Sequence, residues 1–483
     1  MLTEKSGAIR EKRAALNKYK KLMTNTLLFA VSSFGSKLLV YLMMPLYTNI
    51  LLPEEFGIVT NIQDTSQLLL PLAAMGIANA IIRFGLDSAC DKAAVFTGGV
   101  AALGFGGVLM ILVYPFLCLD VALDGYRWLV YLYVFVSCAR NLCSQFVRSQ
   151  QHTRLYAVDG LLNTVLLVIF YIVYLIPCKL GITGYILATV TADALSGLFL
   201  CTMAKLPQYF RVSRFDKKLF RQMLKYSVPL IPASMCWWIT NASDKKFVLY
   251  MMNSEYSGLY GFAYKIPNLL MLVSTLFTEA WQLSAVADAG SGTERSRFFA
   301  RVFRGYQGIL CIGASGIILF CRLFVSILDG SGSGAYYPAW KYIPILVIAT
   351  VYSCLAGYMG SIYMVVKKSA QNLYTTLAGA LANLALNALM IPLMGVNGAA
   401  LATLLSYLLI FTLRAVNTRR FIPFNLHRND LIINTVLLLL QAGLMLLDKP
   451  WWPVSGVLLF LLLAVRNARS LLVLVRKMKG KTA

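Results

Sequence analysis

The sequence predicts an all-α integral membrane protein of about fourteen transmembrane helices, and three observations support this fold class. Hydrophobic residues make up 59% of the 483 residues, charged residues only 13%, and the mean hydropathy is +0.69. Because a soluble domain carries about 25% charged residues, this chain cannot cover a surface that faces water. Apolar stretches recur along the whole chain, and one short stretch is repeated far away in it.

Each apolar stretch is long enough to cross the hydrocarbon core of a membrane as a helix. Backbone polar groups cannot remain unpaired in hydrocarbon, so these stretches should be helical. Unbroken runs such as VLLVIFYIVYLI do not alternate as the strands of a β-barrel would. The predicted spans are 24–50, 56–84, 93–118, 127–150, 155–177, 182–204, 226–251, 257–286, 304–328, 341–366, 370–393, 397–417, 430–447 and 453–475. The last span could instead be a helix lying on the inner surface.

The positive charges of the connections predict the orientation. Of the 44 Lys and Arg residues, 35 lie in the N-terminal tail, in alternate connections and at the C-terminal end. The opposite connections hold four, which are Arg127, Lys179, Lys341 and Lys449. This asymmetry predicts a multi-pass protein of the cytoplasmic membrane with both termini in the cytoplasm. The net charge of +24 is therefore a topology signal, with weak attraction to anionic membrane lipids and no nucleic-acid partner.

A repeated stretch indicates that the fold contains two related halves. LGITGYILAT (180–189) and MGVNGAALAT (394–403) both read Gly-x-x-Gly-x-x-Leu-Ala-Thr, and they begin the sixth and twelfth predicted spans. Two weaker similarities, RLYAVDGLLN with NLYTTLAGALAN and LLPEEFGIV with MNSEYSGLY, occur in the same order in each half. Parallel repeats related by an axis along the membrane normal are a transporter design, with the substrate site between the halves.

The repeat predicts two parallel six-helix lobes followed by two additional helices. The joining segment, KLPQYFRVSRFDKKLFRQMLK, is strongly basic and should lie on the cytoplasmic side. The predicted parts are a cytoplasmic basic tail (1–23), an N-terminal lobe (24–204), a basic linker (205–225), a C-terminal lobe (226–417) and two additional helices with a basic tail (418–483).

At four places the sequence resembles a known family. These are PEEFG at 53–57, RFG at 83–85, the membrane pair DK at 244–245 and AYKIPN at 263–268. They resemble the prokaryotic polysaccharide transporters, the lipid-linked oligosaccharide flippases of the multidrug/oligosaccharidyl-lipid/polysaccharide exporter superfamily. The resemblance implies an alternating-access carrier that moves an undecaprenyl-pyrophosphate-linked oligosaccharide outward for cell-surface polysaccharide synthesis. It also implies functional partners such as a polysaccharide polymerase or glycosyltransferases.

Charged residues inside the predicted spans are the candidate site residues. A charge in hydrocarbon costs at least about 2.5–3.5 kcal/mol, so it normally faces a cavity, a partner or an interface. Lys37 and Asp64 are predicted to reach similar depths, and an offset of 201 residues relates Asp64 to Lys265. The candidate substrate-binding residues are Lys37, Lys265, Lys245 and Arg83, and the candidate ion-coupling or ion-pair residues are Asp64, Asp244 and Asp193.

Two interpretations of these charges stay open at the level of sequence. In the first, the lysines line a cationic cavity and hold the pyrophosphate of the substrate. In the second, Lys37 pairs with Asp64, and Asp244 with a neighbouring lysine, as structural ion pairs. Lys245 and Lys246 point about 100° apart on a helix, so at most one of them should be central.

Three function classes fit a membrane protein of this size. A flippase for lipid-linked oligosaccharides agrees best with the lysines inside the spans, and a drug/ion antiporter of the same superfamily is the alternative. A membrane enzyme is disfavoured, because no connection is long enough to form a catalytic domain. Ten Cys and two His show no metal-ligand spacing, so neither a metal nor a cofactor is expected.

Overall fold

The computed structural model describes residues 39, 41–87, 90–287, 293–330, 332, 334–366 and 368–479. Throughout these ranges the regular secondary structure is helical, which confirms the predicted all-α class. The α-helices are α1 (Met44–Ile50), α2 (Pro53–Ala73), α3 (Ile77–Leu86), α4 (Lys92–Cys118), α5 (Arg127–Ser149), α6 (Thr153–Leu175), α7 (Gly181–Met203), α8 (Lys217–Ser227), α9 (Ile231–Met251), α10 (Ser254–Lys265), α11 (Asn268–Ala287), α12 (Thr293–Leu328), α13 (Ile343–Val365), α14 (Ser369–Met394), α15 (Val396–Thr418), α16 (Arg428–Leu446) and α17 (Trp452–Lys479).

Several of these helices are long and apolar enough to cross a membrane. Among the described residues there are eight, namely α4, α6, α7 and α12 to α16, and the bent pair of α2 and α3 would make a ninth. The apolar part of α17, Trp452–Ala468, is shorter. The helices α5 and α9 coincide with predicted spans and have 23 and 21 residues, but charged residues such as Arg140 and Asp244 make them less apolar. The total of fourteen spans remains a prediction.

The second predicted span is interrupted where α2 gives way to α3. The two helices meet at an angle of 48°. Met75 and Gly76 between them have φ values of 49° and 61°, in the left-handed region that ends a helix. A Cβ atom on Gly76 would lie 2.8 Å from the carbonyl oxygen of Ser227, so glycine is required there for close packing as well as for its backbone conformation.

The described chain divides into two compact units. The first unit contains Ser66–Ile231 and the described residues before Pro45, and the second contains Pro45–Thr65 and the described residues from Pro232 onward. The helix α2 is therefore shared, because its first part belongs to the second unit. The division into six-helix lobes predicted from the repeat stays a proposal.

Within the second unit, α2 and α10 approach each other so closely that their backbones touch. A Cβ atom on Gly57 would lie 2.0 Å from the carbonyl oxygen of Ser254, and one on Gly258 would lie 1.8 Å from the carbonyl oxygen of Pro53. Real Cβ atoms do not come that close to an oxygen, so both positions need glycine. The PEEFG and SEYSG segments therefore meet through their glycines.

The α2–α10 contact has a regular register along both helices. Gly57 and Gly258 are 201 residues apart, and so are the next pair in contact, Thr60 and Gly261. A Cβ atom on Gly261 would lie 3.0 Å from Cγ2 of Thr60. One turn further on, the same offset relates Asp64 to Lys265. Each helix thus packs against its own counterpart in the repeat, and the register leads directly to the charged residues.

Candidate transport site

In the second unit, α2, α9 and α10 bring a lysine and an aspartate together. Lys245 Nζ lies 3.1 and 3.2 Å from the two carboxylate oxygens of Asp64. The same ammonium lies 5.4 Å from the ring centre of Tyr264, where a cation is attracted to the aromatic face. The side chains of Lys245 and Asp64 are only 17% and 15% exposed, so water screens their interaction weakly.

Two more lysines lie beside this ion pair. Lys246 Nζ donates a hydrogen bond of 2.7 Å to Oδ1 of Asn61, one turn before Asp64 on α2. Lys265, at the end of α10, interacts electrostatically with both Lys245 and Asp64. Both neighbouring lysines of α9 thus reach α2, although they leave their helix about 100° apart, because their long side chains converge on it.

Asp244 is fully buried in a shell of hydroxyl groups. Its Oδ2 accepts hydrogen bonds from Tyr260 at 3.0 Å, from Thr403 at 2.9 Å and from Tyr264. Its Oδ1 accepts a hydrogen bond from the backbone N–H of Lys245 at 2.9 Å. Three hydroxyl donors on one oxygen stabilise negative charge in a place without water. The hydrogen-bond partners of Asp244 are therefore mainly hydroxyls, and Lys245, the neighbouring lysine of the ion-pair interpretation, interacts with this carboxylate electrostatically.

Sequence reasoning missed Tyr260, Tyr264 and Thr403. For Thr403 a signal was present, because it is the last residue of the repeated motif that begins α15. The two tyrosines are four residues apart, so they project from one face of α10, but that spacing is equally common in an ordinary packed helix. Only the positions of α10 and α15 against α9 show that all three face one carboxylate.

A second buried polar cluster lies in the first unit, where α5, α6 and α7 meet. Arg140 donates to Oδ2 of Asp159 at 2.9 Å and to Oδ1 of Asp193 at 3.4 Å. Its Nε donates to Oγ of Ser196 at 3.0 Å, and that hydroxyl donates in turn to Asp159. Asp193, a candidate from the sequence, is thus one of two carboxylates that share a single arginine.

Neutral donors complete the surroundings of Asp193. Ser137 Oγ donates to its Oδ2 at 2.5 Å, and Asn163 Nδ2 donates to its Oδ1 at 2.9 Å. Each carboxylate oxygen of Asp193 therefore has a donor in the protein, and one of them has two. This arrangement is typical of a buried polar network that holds helices together.

The remaining candidates lie apart from these clusters or cannot be placed. Arg83 is exposed in the last turn of α3, and its guanidinium lies 4.9 Å from the ring centre of Tyr226 in the same unit. Lys37 lies outside the described residues, so the predicted match in depth between Lys37 and Asp64 stays a prediction. Among the residues that are described, no group of three or more His, Cys, Asp or Glu side chains is arranged to hold a metal ion.

The fold has counterparts among solved structures. The chain is similar to the lipid II flippase MurJ in an inward closed conformation, with a TM-score of 0.71, 13% identity, and coverage of 92% of this chain and 100% of MurJ. It is also similar to an inward-facing multidrug resistance MATE family transporter of the MOP superfamily, with a TM-score of 0.66, 14% identity, and coverage of 80% and 95%. A MOP superfamily transporter from Pyrococcus furiosus matches with a TM-score of 0.54, 12% identity, and coverage of 81% and 94%. The fold is therefore that of the MOP-superfamily transporters.

The family follows from the sequence. The model of a family described as polysaccharide biosynthesis protein matches residues 22–282, which is more than half of the chain. The chain belongs to that family, and its fold is one that MOP-superfamily transporters share. Among curated proteins, none matches this chain in sequence.

Proposed function

We propose that this protein exports a lipid-pyrophosphate-linked oligosaccharide across the cytoplasmic membrane by alternating access, with both termini in the cytoplasm. The observation that carries the proposal is the charge of the cluster in the second unit. Among the residues that the structure describes, Lys245, Lys246 and Lys265 supply three positive charges to this cluster, whereas Asp64 and Asp244 supply two negative charges. A cluster with an excess of cations fits an anionic substrate, and membership of a polysaccharide biosynthesis family supports a lipid-linked sugar.

The Lys245–Asp64 pair gives a physical route for binding and release of a pyrophosphate. A phosphate in the membrane interior needs donors and positive charge, because hydrocarbon cannot solvate it. In the absence of substrate, Asp64 neutralises Lys245 and avoids an unpaired buried charge. A pyrophosphate would replace Asp64 as the partner of Lys245, and Asp64 would compete for the lysine again when the substrate leaves. The aspartate thus prevents the site from holding the anion too tightly.

Asp244 is the best candidate for ion coupling. Its carboxylate is fully buried, and its hydrogen-bonding groups come from α10 and α15 as well as from the adjacent backbone. A bound monovalent cation or a proton would neutralise it and change what these helices can contact. This role belongs equally to the alternative function, a drug/ion antiporter, whose superfamily includes multidrug MATE transporters. The two functions differ in the substrate that is moved.

The test is transport by the purified full chain in proteoliposomes that contain a fluorescent lipid-pyrophosphate-linked oligosaccharide. Lys245→Gln and Lys265→Gln should each lower the rate of translocation at least about tenfold, which equals about 1.4 kcal/mol of barrier height. Lys341→Gln, which removes an exposed lysine of the same unit outside the cluster, is the matched control and should transport normally.

Two further measurements separate the alternatives. Asp244→Asn should remove any dependence of export on a sodium or proton gradient while substrate binding persists. Uptake of an organic cation without movement of the lipid-linked sugar would favour the antiporter and would refute the flippase proposal. Equal rates for Lys245→Gln, Lys265→Gln and Lys341→Gln would show that the cluster does not handle the substrate.

A further inference from the structure

The helix α8 divides its residues between a buried face and an exposed basic face. It begins after Asp216, whose carboxylate accepts hydrogen bonds from the backbone N–H groups of Lys218 and Leu219, at 2.7 and 3.2 Å. Leu219 and Met223 are buried in the apolar core of the first unit. One face of α8 therefore packs against the core of the first unit, and the opposite face is exposed.

The opposite face of α8 is cationic. Lys218, Arg221 and Lys225 are exposed and follow each other at spacings of three and four residues, so they form one stripe on the helix. Together with Gln222, they line an open depression with a volume of 580 Å³. The segment 205–225 contains seven Lys or Arg residues and a single acid, Asp216, which is engaged as the helix cap.

Exposed apolar side chains precede this stripe in the sequence. Phe210, Val212 and Phe215, in the turns before α8, are 47%, 73% and 40% exposed. A surface that only faced water would gain nothing from three such residues close together. Basic residues beside exposed aromatic and aliphatic residues are the composition of a segment that lies in the head-group region of a membrane.

We infer that α8 and the turns before it form a binding site for the phosphate group of an anionic phospholipid. The stripe of Lys218, Arg221 and Lys225 would hold the head group, and Phe210, Val212 and Phe215 would enter the interfacial layer of the same leaflet. By the proposed topology this is the inner leaflet, although the inference does not depend on which substrate is transported. A second occupant with the same phosphate chemistry is the pyrophosphate of the transported lipid.

The openness of the depression favours bulk anionic phospholipid as the occupant. The depression is open and lies on the outer surface of the first unit, where the most abundant phosphate groups are those of the surrounding lipids. Each Lys or Arg close to an anionic membrane surface adds about 1 kcal/mol of attraction, or about fivefold in local lipid occupancy. Three cations on one stripe therefore suffice to enrich an anionic lipid over a zwitterionic one.

The experiment is site-specific photo-crosslinking of the full chain in nanodiscs of phosphatidylcholine and phosphatidylglycerol. A photoreactive amino acid replaces Gln222, which lines the depression, and mass spectrometry identifies the lipid attached to it. Phosphatidylglycerol adducts should exceed the bulk lipid ratio at least about fivefold, and the excess should fall in high salt. The salt titration uses no other variant, so it tests the inference even if charge variants fold poorly.

The matched pair of variants removes three positive charges each. The triple variant K218Q/R221Q/K225Q should reduce the adducts to the bulk ratio. The triple variant R419Q/R420Q/R428Q, which alters exposed arginines of the second unit, should leave the enrichment unchanged. If the protein with its three cations intact formed phosphatidylglycerol adducts only in proportion to the bulk lipid, the inference would be overturned. Displacement of phosphatidylglycerol by a small fraction of polyprenyl pyrophosphate would also overturn it, and would assign the site to the transported lipid instead.

Discussion

The buried polar clusters of the two units differ in the sign of their charge and in how completely they are paired. In the first unit, one arginine, Arg140, is shared by Asp159 and Asp193, and neutral side chains supply the remaining donors. In the second unit, Lys245 pairs with Asp64, Lys246 and Lys265 lie beside this pair, and the other carboxylate, Asp244, is surrounded mainly by hydroxyls. Counted over the described residues, the first cluster has an excess of acidic side chains and the second an excess of basic ones.

This difference separates a structural network from a site that can exchange partners. A network in which one arginine balances two carboxylates offers no place for another anion, because an added phosphate would meet uncompensated negative charge. The lysine cluster can accept an anion if Asp64 gives up Lys245. We therefore expect substitutions in the first cluster to affect stability, and substitutions of the lysines to affect transport.

The largest expected effect is that of Arg140→Gln in the first unit. It leaves Asp159 and Asp193 close together without their shared cation, which costs about 3–5 kcal/mol for a buried pair. Thermal unfolding of the purified protein in detergent measures the loss. Arg148→Gln, an exposed arginine on the same helix whose guanidinium lies 5.5 Å from the ring centre of Tyr156, is the control and should cost less than about 1 kcal/mol.

The contrast between the two clusters would be wrong if Arg140→Gln had the unfolding temperature of the unaltered protein but no longer exported the substrate. The first cluster would then handle the substrate or a coupled ion, and the assignment of the two clusters would have to be reversed. A stable variant that exports normally would show that the arginine contributes to neither.

A second prediction concerns the backbone packing around each cluster. Gly258→Ala places a Cβ atom 1.8 Å from a carbonyl oxygen of α2, so it must push α2 and α10 apart. We expect a loss of about 3 kcal/mol, the upper end for overpacking, because a backbone carbonyl cannot move aside as a side chain can. In the first unit, Gly197→Ala places a Cβ atom 3.6 Å from Arg140, which is ordinary contact, and should be tolerated.

The unfolding temperatures of Gly258→Ala and Gly197→Ala, measured under the same conditions, show how much more the first substitution destabilises the protein. If both variants were equally stable, the close contact between α2 and α10 would not be needed to hold the lysine cluster. If both were equally damaged, backbone packing would not distinguish the two clusters.

The smallest expected difference in stability is between substitutions in the two copies of the repeated motif. Thr403 donates to the buried carboxylate of Asp244, whereas Thr189, the same motif position in the first unit, hydrogen-bonds with the neutral phenol of Tyr171. Hydrogen bonds to charged groups contribute about 1.5–3 kcal/mol and those between neutral groups about 0.5–1.5 kcal/mol. Thr403→Val should therefore destabilise the protein by about 1 kcal/mol more than Thr189→Val, as measured by thermal unfolding.

An equal cost for the two threonine substitutions would argue that Asp244 carries no charge in the folded protein. Its hydroxyl partners would then surround a neutral carboxyl group. This outcome would also weaken its proposed role as an ion-coupling residue that alternates between charged and neutralised forms.

The sequence predicted the helical class because that class depends on local patterns. Long apolar stretches define helices, and the offset of 201 residues that relates Asp64 to Lys265 also relates Gly57 to Gly258. The family was likewise recognisable, since PEEFG and RFG lie within the region that the family model matches. These features need only the order of residues along the chain.

The partners of the charged residues could not be predicted in the same way. Lys245 reaches Asp64 only because α9 packs beside α2, and that proximity depends on how helices distant in sequence assemble. The hydroxyl shell of Asp244 needs α10 and α15 on the same side of α9. For Asp193, the sequence contained Arg140 on another span, but nothing in the spacing showed that the two would meet.

The contact between α2 and α10 can be compared with the symmetric interface of a homodimer. At the two-fold axis of a homodimer, a residue of one chain packs against the same residue of the other chain. The α2–α10 contact resembles this arrangement, because residues related by the offset of 201 face each other. Two glycines still meet in this way at Gly57 and Gly258, but Thr60 now faces Gly261, and Asp64 lies opposite Lys265. A dimer of identical chains would place aspartate against aspartate or lysine against lysine there. Because the two sides of this contact come from different segments of one chain, they need not be identical, and opposite charges can lie where a dimer of identical chains would place like ones.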